Sequence, residues 1–297
     1  MRNLSALLLV MIAFAAPVVA QDRHDRAFWK QVIAAKYAVP ASSSADALSD
    51  ELSGYLASAD PELRDDIAYS ILSQWMAVTG AISDAHARQL VDRWIANLRA
   101  GVESPGDDRV VLRSFSALCL STAVARENKT PFLGEDRFRA VLAAALRYFD
   151  AERDLRGFDP RLGWVHATAH TADLLKFLAR NPQLRPADQA DVLSGVARKL
   201  SAAPTAFTFG EDERMARALA TIVLRQDFDR TAFSSWLDTV GPLAAFPKEV
   251  GASSLARQQN ARHLLVSMYT LLGLVPDTTS LAAARKELLD AFARAQP

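Results

Sequence analysis

An all-α fold is what the pattern of this chain predicts, and three observations carry the prediction. Apolar residues recur at i, i+3, i+4 and i+7 through nearly every segment, and almost no segment alternates with a period of two. Glycine and proline gather between these segments rather than inside them. Arg64, Arg113, Trp164, Arg214 and Arg262 each stand near the start of an alternate helical segment, so the pattern repeats about every 50 residues.

Residues 1–20 read as a secretory signal peptide. Arg2 supplies a positive start, residues 4–16 are apolar but for Ser5, Pro17 interrupts them, and Val18 and Ala20 occupy the −3 and −1 positions of a cleavage site before Gln21. The run is shorter than the roughly 20 residues a membrane-spanning helix needs. The expectation is an exported protein, periplasmic or secreted, in which residues 21–297 form one helical domain with no membrane insertion after cleavage.

Helical patterns at 24–38 and 44–57 form an atypical first pair that would cap the array. Five units follow, each a helix headed by one of the five aligned residues and a partner helix at 83–98, 135–149, 187–200, 230–240 or 280–295. Ser83-Asp84 and Thr279-Ser280 supply N-cap chemistry, and Pro186 suits a first helical turn. The architecture expected is stacked helical hairpins, a HEAT-like α-solenoid or an α/α ring. Trp29, Trp75, Trp94, Trp164 and Trp236 fall at helix positions and read as core anchors.

Charge excludes some partners. The chain holds 34 basic and 34 acidic side chains, so it offers no electrostatic footprint for nucleic acid or an anionic membrane surface. Cys119 is the lone cysteine, in an apolar helical stretch, and reads as a small buried side chain. Asn128-Lys129-Thr130 matches a glycosylation sequon, weakened by the following Pro131. No Gly-x-Ser-x-Gly elbow or phosphate-cradling glycine loop is present, and Gly157 and Gly163 flank a turn.

Titratable groups converge in one place, the stretch 163–175. At about 100° per residue, His166, His170 and Asp173 would leave a helix within one narrow sector. Three roles fit these residues. They could be packing and hydrogen-bonding groups between helices. They could be an acid–base or ligand site, with Asp173 orienting His170 and either imidazole acting as base. They could hold a divalent metal such as zinc, with Asp173 or Glu213 completing the set. Ala167 stands where a zincin would carry its general-base Glu, so the hydrolytic zinc motif is incomplete. If equivalent helices stack, the acidic stretch Glu211-Asp212-Glu213 and Arg214 come close to the histidines, and Arg113, Trp164, Glu213, Arg214 and Arg262 would share a ligand-binding surface.

The phrases at 63–69, 114–118, 163–175 and 212–214 resemble a bacterial family, the domain-of-unknown-function family 2785 (DUF2785), with the Trp164-Val165-His166 to Asp173-Leu174-Leu175 phrase as the most specific part. The resemblance implies an all-helical protein and brings no activity with it. The function expected is a binding module that holds a small ligand or peptide on a polar concave face. The alternative is a hydrolase or other acid–base enzyme centred on His166, His170 and Asp173.

Overall fold

The computed structural model describes residues 24–102, 106–276 and 278–295, and the signal-peptide reading of 1–20 lies outside them. The described residues are helical almost throughout. In chain order the helices are α1 (Arg26–Ala34), α2 (Ala45–Tyr55), α3, α4 (Asp84–Asn97), α5 (Val110–Glu127), α6 (Glu135–Ala151), α7 (Ala167–Arg180), α8 (Pro186–Ala202), α9 (Glu211–Val223), α10 (Arg230–Ala244), α11 (Ala252–Gly273) and α12 (Thr279–Arg294). Here α3 is one continuous run in which Glu62–Tyr69 and Gln74–Val78 have π-type hydrogen bonding around the α-helical Ser70–Ser73. Between α6 and α7 lies a small antiparallel hairpin, β1 (Phe158–Asp159) and β2 (Gly163–Trp164), pairing Phe158 with Trp164.

Local chemistry explains the boundaries. Asp25, Ser44, Ser83, Asp229 and Thr278 each accept a backbone N–H of the first turn, and Pro186 opens α8. Gly210 begins α9 from a left-handed conformation, with φ of 84°, which a residue lacking Cβ adopts without strain.

Odd-numbered helices pack on odd and even on even. Along one layer α3 meets α5, α5 meets α7, α7 meets α9 and α9 meets α11; along the other α4, α6, α8, α10 and α12 follow one another. Helix α5 is buried nearly all round, and its buried polar side chains, Arg113, Ser114 and Glu127 among them, are hydrogen-bonded. Trp29, Trp75 and Trp94 are fully enclosed in a hydrophobic cluster that reaches from α1 to α12.

The register of the five aligned residues differs from the expectation at two positions. Arg64, Arg113 and Arg214 lie in the first turn of α3, α5 and α9, whereas Trp164 lies in β2 before α7 begins, and Arg262 lies in the middle of α11, which at 22 residues is the longest helix described. His170 takes the early-helix position in α7.

Candidate functional site

The segment 152–166, which carries β1 and β2, is pinned from below by the starts of α3 and α5. The fully buried Arg64 guanidinium donates to the carbonyls of Leu162 at 2.7 Å and Trp164 at 3.3 Å, and lies over the Phe115 ring. Ser114 donates its hydroxyl to the Val165 carbonyl. From above, Gly157 packs so closely that a Cβ there would stand 2.3 Å from Phe209 and 2.6 Å from the Glu211 carboxylate.

These restraints bring the chain into α7 at an unusual angle. The sequence places His166 inside a helix; the structure makes it the residue before the helix, in the left-handed region at φ 47°, ψ 32°. Its N–H is shared between the carbonyls of Arg156 and Gly157. Histidine tolerates this region better than most residues, yet it still costs about 1–3 kcal/mol and persists only where the surroundings impose it.

The two imidazoles meet all the same. Their ring centroids are 5.6 Å apart, edge to face. His170 Nδ1 lies 2.8 Å from Ser114 Oγ. Because the Ser114 hydroxyl proton is already donated to Val165, the serine accepts here, so His170 carries its proton on Nδ1 and presents the Nε2 lone pair. The orienting partner of His170 is thus Ser114, and the role given to Asp173 is corrected: its two oxygens face Lys176, at 3.0 Å, and Arg214. His166 Nε2 is buried without a hydrogen-bond partner, and the nearest charged oxygen, Glu211 Oε1, is 3.9 Å away.

Electrostatics keep both rings neutral. Burial first, then the positive charge of Arg214, pulls His166 down to about 4. Burial pushes His170 well below the ordinary histidine value, helped by His166, Arg214 and Arg64. Asp65 moves the other way: burial outweighs the Arg64 guanidinium, whose Nε is 2.7 Å from the carboxylate, and lifts it to about 6. Burial also raises the Tyr69 phenol.

These groups line one open pocket of about 500 Å³ between α3, α5, α7 and α9. Its polar wall is Asp65, Tyr69, His166, His170, Asp173 and Arg214; its apolar wall is Phe115, Leu118, Trp164 and Phe209. Asp65 and Tyr69 come from the π-type stretch of α3, a geometry that recurs at functional sites. Other clefts, of about 570 Å³ at α10 and α12 and about 700 Å³ between α8 and α10, are lined by no buried titratable side chain.

The remaining residues singled out in the sequence lie elsewhere. Arg113 is fully buried, donating to Glu152 at 2.6 Å and to the Ala100 carbonyl at 2.8 Å. Glu213 points to solvent and pairs with Arg217. Arg262 lies over the Phe292 ring. Among the described residues no group of three His, Cys, Asp or Glu side chains is arranged to hold a metal ion. Trp164 departs from the core-anchor reading: it is 43% exposed, because it sits on a two-residue strand rather than on a helix. Phe209 escaped the ligand-site reading altogether, whereas Asp65 and Tyr69 stand beside the aligned Arg64, on the helix face that the repeat directs to the polar concave wall.

Fold and site together define an all-helical protein with one polar, aromatic-rimmed pocket across its odd-numbered helices. The chain belongs to the family described as protein of unknown function (DUF2785), whose model matches residues 98–270. That stretch carries every lining residue of the pocket except Asp65 and Tyr69. No curated protein and no solved structure matches the chain.

Proposed function

We propose that this protein is an exported binding module that holds a small polar ligand in the pocket between α3, α5, α7 and α9. One observation carries the reading: His166 is buried, strained into the left-handed region, and has an Nε2 atom without a partner beside an open pocket. An unmet buried polar atom costs about 1–3 kcal/mol, and its cost is removed when a ligand supplies the missing hydrogen bond. Layered packing of odd on odd and even on even helices supports a HEAT-like stack of hairpins of about 50 residues, closed or open, with the pocket on one of its faces. Residues 1–20 support export.

The test is a thermal-shift screen of the purified protein against small polar metabolites. At least one compound should raise the melting temperature of the wild type and leave that of His166→Ala unchanged. A set of hits that stabilises both proteins equally would remove the reading.

A second reading, acid–base catalysis, is favoured by Asp65. A carboxyl that titrates at about 6 in the same pocket as a neutral imidazole with a free lone pair supplies both halves of acid–base chemistry. The metal-dependent version has the imidazoles as ligands, but both Asp173 oxygens already face cations. Elemental analysis of protein purified without chelator decides that version: stoichiometric zinc lost in His166→Ala supports it, and a metal-free protein that still binds ligand removes it.

A further inference from the structure

The last helices of the array carry a second cleft, and its lining is unlike that of the histidine pocket. It has a volume of about 570 Å³ and lies where the end of α10, the connection 245–251, the first turns of α11 and the end of α12 meet. That size is ordinary for a small-molecule site. Leu237, Leu243, Phe246, Pro247 and Ala291 make its apolar lining. The Phe246 ring is 61% exposed, so an apolar body in the cleft removes from water a large surface that the fold leaves wet.

The charges of the cleft are almost all of one sign. Lys248, Arg257 and Arg294 line it against a single carboxylate, Asp238. Asp238 comes no nearer to Arg294 than 3.9 Å, and both side chains are largely exposed. Lys248 and Arg257 make no ion pair and no side-chain hydrogen bond among the described residues. In the histidine pocket, by contrast, Asp173 closes off the one cation, Arg214. Three cations with one distant counter-ion give the cleft a positive potential that an anion relieves. The Arg257 guanidinium adds a planar fork of N–H donors, which matches the two oxygens of a carboxylate.

We infer that this cleft binds a single-chain amphipathic anion of the fatty-acid class. Its carboxylate sits at Lys248 and Arg257, and its hydrocarbon chain runs along Leu237, Leu243 and Phe246. The site is independent of the histidine pocket, with which it shares no lining residue. Each methylene that enters the cleft should strengthen binding about fourfold, and loss of either cation should weaken it about tenfold.

Calorimetric titration of the purified protein with octanoate, decanoate and laurate, each below its micelle concentration, tests the inference. Laurate should bind one to one, more tightly than octanoate and less tightly as salt is added. Arg257→Gln and Lys248→Gln should each lose about tenfold, Phe246→Ala should flatten the dependence on chain length, and His166→Ala should bind laurate as wild type does. Circular dichroism of the variants secures that they are folded. The carboxyl carbon of labelled laurate should titrate at lower pH when bound than when free, since the cations favour its charged form. Absence of laurate binding overturns the inference. So does dodecylammonium binding as tightly as laurate, or laurate binding that survives in the Lys248→Gln, Arg257→Gln double variant. Laurate binding lost in His166→Ala would move the ligand to the histidine pocket and empty this cleft. Co-sedimentation with phosphatidylglycerol vesicles by a protein that ignores monomeric laurate would make the patch a membrane contact and remove the single-chain ligand.

Discussion

Two buried polar clusters lie under the same connecting segment, 152–166, and they are built on opposite terms. At its start, Arg113 from α5 donates to Glu152 and to the Ala100 carbonyl, Glu152 accepts the Asp154 N–H at 3.0 Å, and Lys199 from α8 donates to the Glu152 carbonyl at 2.8 Å. Each charged side chain there has at least one hydrogen-bond partner, and only Arg113 Nη2 among the atoms of its guanidinium is left unmet. At its end, His166 has an unmet nitrogen, His170 presents a lone pair to the pocket, and the backbone is strained. The first cluster is a staple between helices. The second tolerates a local penalty that the staple and Arg64 make affordable by fixing both ends of the segment.

That contrast is easiest to break at Arg113, where the largest effect is expected. Arg113→Met leaves Glu152 charged, buried and unpaired, which costs on the order of 3–5 kcal/mol in urea unfolding. The double variant Arg113→Met with Glu152→Leu should recover most of the loss, since no isolated charge remains. An Arg113→Met protein within about 0.5 kcal/mol of wild type would place Arg113 among surface residues energetically and undo the comparison.

Glu211 stands at the pocket end, against Gly157 of the segment, and should come next. It is buried at the start of α9, accepts the Phe209 N–H at 2.9 Å, and faces His166. Glu211→Ala leaves that N–H unmet and frees the Phe209 wall, for a loss on the order of 1–3 kcal/mol together with weaker ligand binding. Retained affinity with reduced stability would move Glu211 to the staple side.

Acid titration separates the groups of the pocket by sign. His166 and His170 titrate below their unfolded value, so the unfolded chain binds more protons as pH falls from about 6.5 to about 4, and stability is lost over that window. Asp65 titrates at about 6, above its unfolded value, so the folded protein takes its proton first and gains stability over the same fall. Two imidazoles oppose one carboxyl. Melting temperatures between pH 7 and pH 4 should therefore fall for wild type, fall more steeply for Asp65→Asn and fall less for His166→Ala. Parallel curves for the three proteins would mean that these groups do not differ between the folded and unfolded chains.

What the sequence made legible follows from what is local. A period of 3.6, caps such as Ser83 and the opening Pro186 are local, and the helices they mark are present. The convergence of His166, His170 and Asp173 was legible too, though for a reason that holds only in part. The apolar pattern runs unbroken from Gly163 to Leu175, so nothing in it separates β2 from α7 or shows that His166 precedes the helix. The left-handed turn is imposed from α3 and α5, by Arg64 and Ser114, about 100 and 50 residues away in the chain. For the same reason Phe209 was illegible: its place in the pocket depends on Gly157 from across the fold. Arg262 was misplaced because α11 begins ten residues before it, and the spacing of aligned residues does not measure helix length.

The smallest effect is expected two residues beyond Glu211, and it sharpens the comparison by its size. Glu213 shares the first turn of α9 and the same charge, but its side chain is half exposed and pairs with Arg217 one turn on. An exposed i,i+4 pair contributes about 0.3–0.5 kcal/mol, and an acidic residue near a helix N-terminus adds a comparable, salt-screened amount. Glu213→Ala should therefore lower stability by about 0.5 kcal/mol at low salt, less at high salt, and leave ligand affinity as it was. Glutamates on either side of Asp212 would then differ several-fold in stability and completely in binding. Their chemistry is identical and their helix position nearly so; what separates them is that one faces His166 and the other faces water. A Glu213→Ala protein that binds ligand more weakly would extend the pocket outward along α9 and return Glu213 to the ligand surface that the sequence assigned to it.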